Sequence, residues 1–254
     1  MKEFSLPKEQ IILGGLLGDS SFNLKRKTIA FSQCEKQLEY VQWKYSFFDT
    51  KAEIHSVYNA RDGKNYLRYY FVISKKYIGN NLINFIEDNL YSDKGVKTIS
   101  LEYLNKLSPL GLAVWWMDDG NISLTKDGGN RYGKLSTHCF SYDEHIIMKN
   151  YFKQKWNIDV SIRPEKGHFF LRININSLKK FIKLVYPYIT QIQSMIYKVD
   201  LKYKYLGRVG EDFIDTYKYI TTDGLTIDSL YTCYSTTDKA FPVGSPIVKL
   251  DIDK

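Results

Sequence analysis

The 254-residue chain has only three cysteines, Cys34, Cys139 and Cys233, far apart and odd in number. No C-x-x-C pair occurs, which argues against a zinc ribbon or a disulfide framework and for a reducing compartment. Histidine is scarce too, and His55, His145 and His168 form no recognisable ligand set. No apolar run approaches the roughly 18 residues of a membrane span, so no membrane partner is expected. The opening MKEFSLPKEQ carries acidic and polar residues where a signal peptide needs an apolar core. The protein is therefore expected to work where it is made, or in an organelle reached by a route this sequence does not show. Residues 91–108 hold no long Gly/Ser linker, so the chain on either side of them is expected to pack together.

What is present is a globular composition, 44% hydrophobic and 25% charged, with length enough for one large or two small domains. The 36 basic and 28 acidic residues leave a net charge of +8, which favours a polyanionic partner through counterion release. The 21 Tyr and 14 Phe are mostly accounted for by strand and core packing.

The chain contains itself twice. Ile11-Ile12-Leu13-Gly14-Gly15-Leu16-Leu17-Gly18-Asp19 and Leu112-Ala113-Val114-Trp115-Trp116-Met117-Asp118-Asp119-Gly120 are both apolar runs that end in Asp beside Gly. Asp19 and Asp119 stand 100 positions apart. After the first run the pattern predicts a strand at 28–33, a helix at 35–48, strands at 54–58 and 66–74, and a helix at 75–89. After the second it predicts a strand at 134–138, a helix at 142–156, strands at 160–163 and 168–174, and a helix at 177–186. Within 66–74, Leu67, Tyr69, Phe71 and Ile73 share one face, and Tyr66, Arg68, Tyr70 and Ser74 the other. Phe169, Leu171, Ile173 and Ile175 alternate with Phe170, Arg172, Asn174 and Asn176 in the same way. That is an antiparallel sheet with one side on helices and one side open. Arg and Asn match guanine and adenine edges, which makes Arg68, Tyr70, Arg172 and Asn174 candidates for DNA binding. An ordinary solvated sheet face is the plainer alternative. Asp62-Gly63-Lys64 reads as a hairpin turn and 126–129 as a loop.

Pro7 and Ser108-Pro109 read as helix starts, so both motif helices run toward their Asp. Carboxylates at the negative end of a helix cost about 0.3–1 kcal/mol each. The misfit recurs in both repeats, which suggests a compensating cation, and Mg²⁺, a hard ion taking oxygen ligands, is the natural choice. Gly14, Gly15 and Gly18 each cost about 1 kcal/mol inside a helix relative to Ala. They make sense if two helix backbones approach closely. The second motif carries Trp115, Trp116 and Met117 where the first has small residues, which predicts a bulkier, less symmetric half of the interface. Close packing would bring the terminal Asp groups together on a pseudo-two-fold axis, where they repel unless cations sit between them. Such a site suits two-metal phosphodiester cleavage.

At this point the residues resemble the LAGLIDADG homing endonucleases, specifically the single-chain members with two motifs. The resemblance covers about residues 7–204. It implies an α+β fold of two pseudo-symmetric αββαββα repeats, forming a saddle of two four-stranded antiparallel sheets around a central two-helix interface. The repeats would be 7–92 and 93–204. Residues 205–254, with strand-like pieces near 229–234 and Pro242 and Pro246, are an extension without an assigned role. The family's metal-binding acids fall on Asp19 and Asp119. Asp118 stands open as a second ligand, a hydrogen-bond acceptor or neither. The family's basic residues match Lys97 and Lys198, for which a solvated surface lysine is the alternative. Gln33 and His138 match water-network positions. Gly14, Gly15, Gly18 and Ala113 match the helix interface. The implied activity is that of an intron-encoded, monomeric endonuclease. It would cut double-stranded DNA at a long asymmetric target with Mg²⁺ or Mn²⁺ and leave 3′ overhangs, while Ca²⁺ would occupy the site without supporting cleavage. The alternative on the same fold is an intron-RNA-splicing maturase or a non-cleaving DNA-binding regulator. Two intact acids favour the enzyme, since a pure binder has no use for carboxylates facing phosphate.

Overall fold

The computed structural model describes residues 4–61, 64–125 and 131–201, and the backbone alone of four short strands between 215 and 233. The first repeat runs α1 (Pro7–Leu17), β1 (Ser21–Asn23), β2 (Thr28–Cys34), a 3-10 turn leading into α2 (Leu38–Tyr45), β3 (His55–Arg61), β4 (Lys64–Ile73), α3 (Lys75–Ile78) and α4 (Asn80–Leu90). A short α5 (Leu101–Asn105) lies in the connection. The second repeat runs α6 (Pro109–Asp119), β5 (Gly120–Leu124), β6 (Arg131–Leu135), α7 (Tyr142–Trp156), β7 (Val160–Glu165), β8 (His168–Ile173) and α8 (Ile175–Ile189), and a 3-10 turn at Gln193–Lys198 follows.

Each repeat builds a four-stranded antiparallel sheet, in the orders β1-β2-β4-β3 and β5-β6-β8-β7. Register assigns the faces. Phe31 lies opposite Phe71 and Ile29 opposite Ile73, all fully buried. Leu135 lies opposite Leu171 in the second sheet, likewise buried. The stacked Phe31 and Phe71 rings, 4.8 Å apart, and the Trp116–Phe181 contact at 4.9 Å anchor the two helix-sheet cores. On the opposite faces lie Ser32, Cys34, Arg68 and Tyr70 in one sheet, and Tyr132, Lys134, Phe170 and Arg172 in the other. The fold is α+β with the two expected sheets. Residues 1–199 form one compact unit, so the two repeats do not separate from each other.

Local chemistry explains the borders. A capping box at Ser141 and Glu144 starts α7, and left-handed Asn157 (φ 52°) ends it. Gly79 (φ +86°) splits the helix expected at 75–89 into α3 and α4. Helix α1 stops at Leu17, so Asp19 lies just beyond it, whereas Asp119 is the last residue of α6. Strands β1 and β5, which open each sheet, complete the expected αββαββα order, although the sequence pattern assigned no residues to them.

The tail is a unit of its own, 200–254. Its described strands pair antiparallel, Asp215–Thr216 with Thr232–Cys233 and Tyr219–Ile220 with Thr226–Ile227. Asp62 and Gly63 of the expected turn, the loop 126–129, and Pro242 and Pro246 lie outside the described residues.

Candidate functional site

Helices α1 and α6 pair along their lengths, and each small residue between them has a definite neighbour. A Cβ on Gly14 would fall 2.2 Å from the Gly111 carbonyl oxygen. The second motif helix therefore does contribute a glycine, Gly111, one residue before the stretch compared in the sequence. Gly15 is a correction: its α-carbon faces the Ser20 side chain and Phe31 in its own repeat, not α6. Gly18 faces Asp118, whose Cβ would lie 2.3 Å from an added methyl. Ala113 is fully buried within α6. The start of the pair is closed by Gln10, 2% exposed, which sequence reasoning missed. Its amide donates to the carbonyls of Phe4 and Lys106 and accepts from Ser108 N–H.

At the other end three carboxylates gather. The Asp118 side chain is wholly buried. Its Oδ1 accepts from Lys44 Nζ at 2.7 Å and from Gln33 Nε2 at 2.9 Å, and its Oδ2 accepts from the Asp19 backbone N–H at 3.2 Å. Gln33 also donates to Asp19 Oδ2 at 3.1 Å. Burial pushes the Asp118 carboxyl up, with Lys44 pulling the other way. The Asp119 carboxyl is pushed up to about 8, first by burial, then by Asp19 and Asp118, with Lys97 and Lys198 opposing. Tyr40 lies in the same cluster, its phenol pushed well up by burial and then by Asp118.

The two lysines flank this group. Lys198 is 7% exposed and donates to the Gly120 carbonyl at 2.6 Å, while its own carbonyl accepts from Trp116 Nε1 at 2.7 Å. Lys97 sits in an antiparallel bridge with Tyr91 and reaches the Leu17 carbonyl at 3.5 Å. Burial lowers both ammonium groups, and all three aspartates pull them back up. Neither is a solvated surface lysine.

His138 is a correction of one residue in register. Ser21 pairs with Ala30, and Asn121 pairs with Lys134. Counting on, Gln33 corresponds to Thr137, and His138 corresponds to Cys34. A shift of one turns a side chain to the other face. His138 accordingly lies on the open face, 2.8 Å from Glu165 Oε2, beside Lys134, which binds the same carboxylate. Thr137 is buried against His145 Nε2 at 2.8 Å. Asn174 is a third correction: β8 ends at Ile173, and the Asn174 side chain caps α8 by accepting from Ser177 N–H at 3.0 Å. Arg172 lies on the open face, 4.3 Å above the Tyr132 ring, and Arg68 and Tyr70 lie on the open face of the other sheet, Tyr70 5.5 Å from His55.

Lys44 was also missed. It occupies the buried stripe of α2 with Tyr40 and Val41, at the i+4 and i+3 positions, and its Nζ lies 4.1 Å over the Tyr40 ring. A lysine on an apolar stripe is the signal that could have found it.

The donors fit a hard divalent cation. They are oxygen ligands from two repeats under mutual repulsion, and a cation would relieve the pressure that raises Asp119. Among the described residues no group of three or more His, Cys, Asp or Glu is placed to hold a metal ion by itself. Two aspartates fill only part of an octahedral shell, leaving positions for water and substrate oxygen.

Comparison with known proteins gives a consistent picture. The model of the LAGLIDADG DNA endonuclease family matches residues 9–181. The chain is 25% identical over 220 residues to the RecA protein of Mycolicibacterium chitae, covering 81% of this chain and 49% of that protein. It is 30% identical over 206 residues to the cytochrome b mRNA maturase bI2 of Saccharomyces cerevisiae, covering 74% of this chain and 46% of the maturase. The chain thus spans about half the length of the curated relatives it matches. Among solved structures it is similar to the homing endonuclease I-WcaI bound to its DNA recognition sequence, with a TM-score of 0.63 and 22% identity over 78% of this chain and 88% of that one.

Proposed function

Because the chain belongs to the LAGLIDADG DNA endonuclease family, we propose that it is a divalent-metal-dependent homing endonuclease. It hydrolyses both strands of DNA at one long asymmetric target and leaves 3′ overhangs. Residues 7–92 and 93–204 each serve one half of the target, and the protein acts as a monomer. The observation that carries this reading is the acid cluster at the paired helix ends, where Asp119 is held up to about 8 by burial and by Asp19 and Asp118.

Asp19 and Asp119 would hold Mg²⁺ or Mn²⁺. When bound, the ion supplies charge neutralisation at the scissile phosphate and a more acidic water. The chain's own residues do the rest. Lys97 and Lys198, with ammonium groups made easier to deprotonate by burial, sit where they can stabilise negative charge growing on phosphate or exchange a proton with the attacking water. Gln33, donating to Asp19, keeps that carboxylate turned in one direction. Arg68, Tyr70 and Arg172, on the open sheet faces, are the candidates for reading base edges.

A randomised double-stranded DNA library, incubated with Mg²⁺ or with EDTA and sequenced at its cut ends, tests this. Metal-dependent cutting at one long motif with 3′ overhangs is expected. Salt-sensitive binding without cutting overturns it in favour of a second reading, an RNA-splicing maturase, which the 30% identity to the yeast maturase favours. Binding of intron RNA by the uncut-DNA-binding protein would then be the next measurement.

A further inference from the structure

The two half-sites are not built alike. The Asp118 and Lys44 side chains are both completely buried, their charged atoms 2.7 Å apart. A buried ion pair is commonly no more stabilising than an apolar pair of the same volume, because both ions lose their water. Stability alone therefore does not account for this one, and its geometry offers another account. Lys44 fixes Oδ1 of Asp118. Oδ2 of Asp118 then accepts from the Asp19 backbone N–H. Gln33, which donates to Asp118 Oδ1, also donates to the Asp19 carboxylate. Asp19 is thus held at its main chain by a carboxylate from the other repeat, and at its side chain by Gln33, which the same carboxylate anchors.

In the second half the carboxylate has no such support. The position matching Asp118 in the first motif is Gly18, which has no side chain and leaves the room that Asp118 fills. The position matching Gln33 is Thr137, whose hydroxyl is engaged with His145. Among the described residues, no hydrogen-bond donor reaches the Asp119 carboxylate. The Asp119 main chain is held as the last residue of α6 and by the Ser136 N–H, which donates to its carbonyl at 3.0 Å, while its carboxylate is buried and feels Asp19, Asp118, Lys97 and Lys198 through charge.

We propose that Lys44 and Asp118 are positioning residues that fix Asp19, and not Asp119, before DNA arrives, so that the two DNA strands depend unequally on this pair. The claim rests on the nuclease reading for its strand consequence but not for its structural one. Removing the pair converts the enzyme toward a nickase. Lys44→Met alone leaves Asp118 charged and buried, which endangers the fold. The operative variant is Lys44→Met/Asp118→Ala, which removes both charges and every acceptor on residue 118. Asp118→Asn, a neutral isostere, is the second variant and gives a smaller bias of the same sign.

The experiment has two readouts on the full-length chain. The first follows nicking of each strand of a labelled target duplex. In the double variant one strand slows about a hundredfold, the scale expected when a reacting group is misplaced by about an ångström. The other strand stays within about threefold, so nicked duplex accumulates. The second readout is amide hydrogen exchange by NMR without metal or DNA. Asp19 N–H exchanges about tenfold faster once its carboxylate acceptor is gone, while Gly120 N–H, bonded to the Trp116 carbonyl, is unchanged. Equal slowing of both strands, no slowing, or unaltered Asp19 exchange overturns the proposal. If the wild-type chain cuts no DNA with any divalent metal, the nuclease reading fails, and the exchange result alone decides the positioning claim.

Discussion

Asp119 is the residue whose chemistry depends most on its surroundings. Its carboxyl rises from an ordinary 3.8 to about 8 through burial and the nearby Asp19 and Asp118. A carboxyl that binds its proton more tightly in the folded state contributes stability that is complete below about 4 and is lost as the pH climbs through about 8. The metal-free protein should therefore melt at a lower temperature at pH 8 than at pH 5, and Mg²⁺ should recover part of the difference at pH 8. In Asp119→Asn that part of the slope should vanish. Thermal unfolding at the two pH values checks it, and an unchanged slope in the variant would remove Asp119 as the source. The same linkage requires ion binding to expel a proton below pH 8, so Mg²⁺ affinity should rise up to about tenfold per pH unit there. Asp19→Asn and Asp119→Asn should each abolish cleavage while DNA binding persists, since neutralising a carboxylate beside phosphate does not weaken electrostatic attraction. Cutting by either variant would dismantle the two-motif site.

At the scale of elements, the α1–α6 contact is set by Gly14 against Gly111. Gly14→Ala would gain up to about 1 kcal/mol of helix propensity. It would also place a methyl 2.2 Å from a backbone oxygen that cannot swing away. Overpacking of this kind costs about 1–3 kcal/mol, and Gly14→Val more, so both variants should melt several degrees lower. A Gly14→Ala protein as stable as wild type would mean the helices part easily. This interface was only half legible in the sequence. Three glycines in one expected helix announced a close approach, but Gly18 lies just past the end of α1, Gly111 lies one residue outside the aligned motif, and Gly15 serves Ser20 and Phe31 instead. The long strands were legible because alternation at period two, as in Leu67 to Ile73, survives any packing. Strands β1 and β5 were not, being three and five residues long with mixed polarity. The register slip at His138 has the same origin: β6 ends at Leu135, and nothing local marks which of the next residues turns inward. Lys44 and Asp118 could be read as unusual one at a time, but their pairing spans two repeats and needs the fold.

Over the whole molecule, the two open sheet faces come from two repeats that share topology but not side chains. One presents Cys34, Arg68 and Tyr70, the other Lys134 and Arg172, with Glu165 binding Lys134 and His138. On the proposed nuclease reading, unlike faces go with a target of unlike halves. Each sheet should then report on one half alone. Arg172 is held against Tyr132, which limits the directions its guanidinium can take and suits it to a bidentate contact. Arg172→Ala should relax discrimination at a few adjacent base pairs in one half of the target, by about 1–3 kcal/mol per lost contact, and Arg68→Ala should do the same in the other half. The library cleavage profile of each variant measures this directly. A uniform loss across all sequences, recovered at low salt, would make both arginines phosphate contacts. Relaxation by both variants in the same half would contradict the assignment of one sheet to each half of the target. With a net charge of +8, binding itself should fall steeply with salt whatever the arginines do. It is therefore the position of the relaxed base pairs, not the loss of affinity, that separates a reading face from a merely basic one.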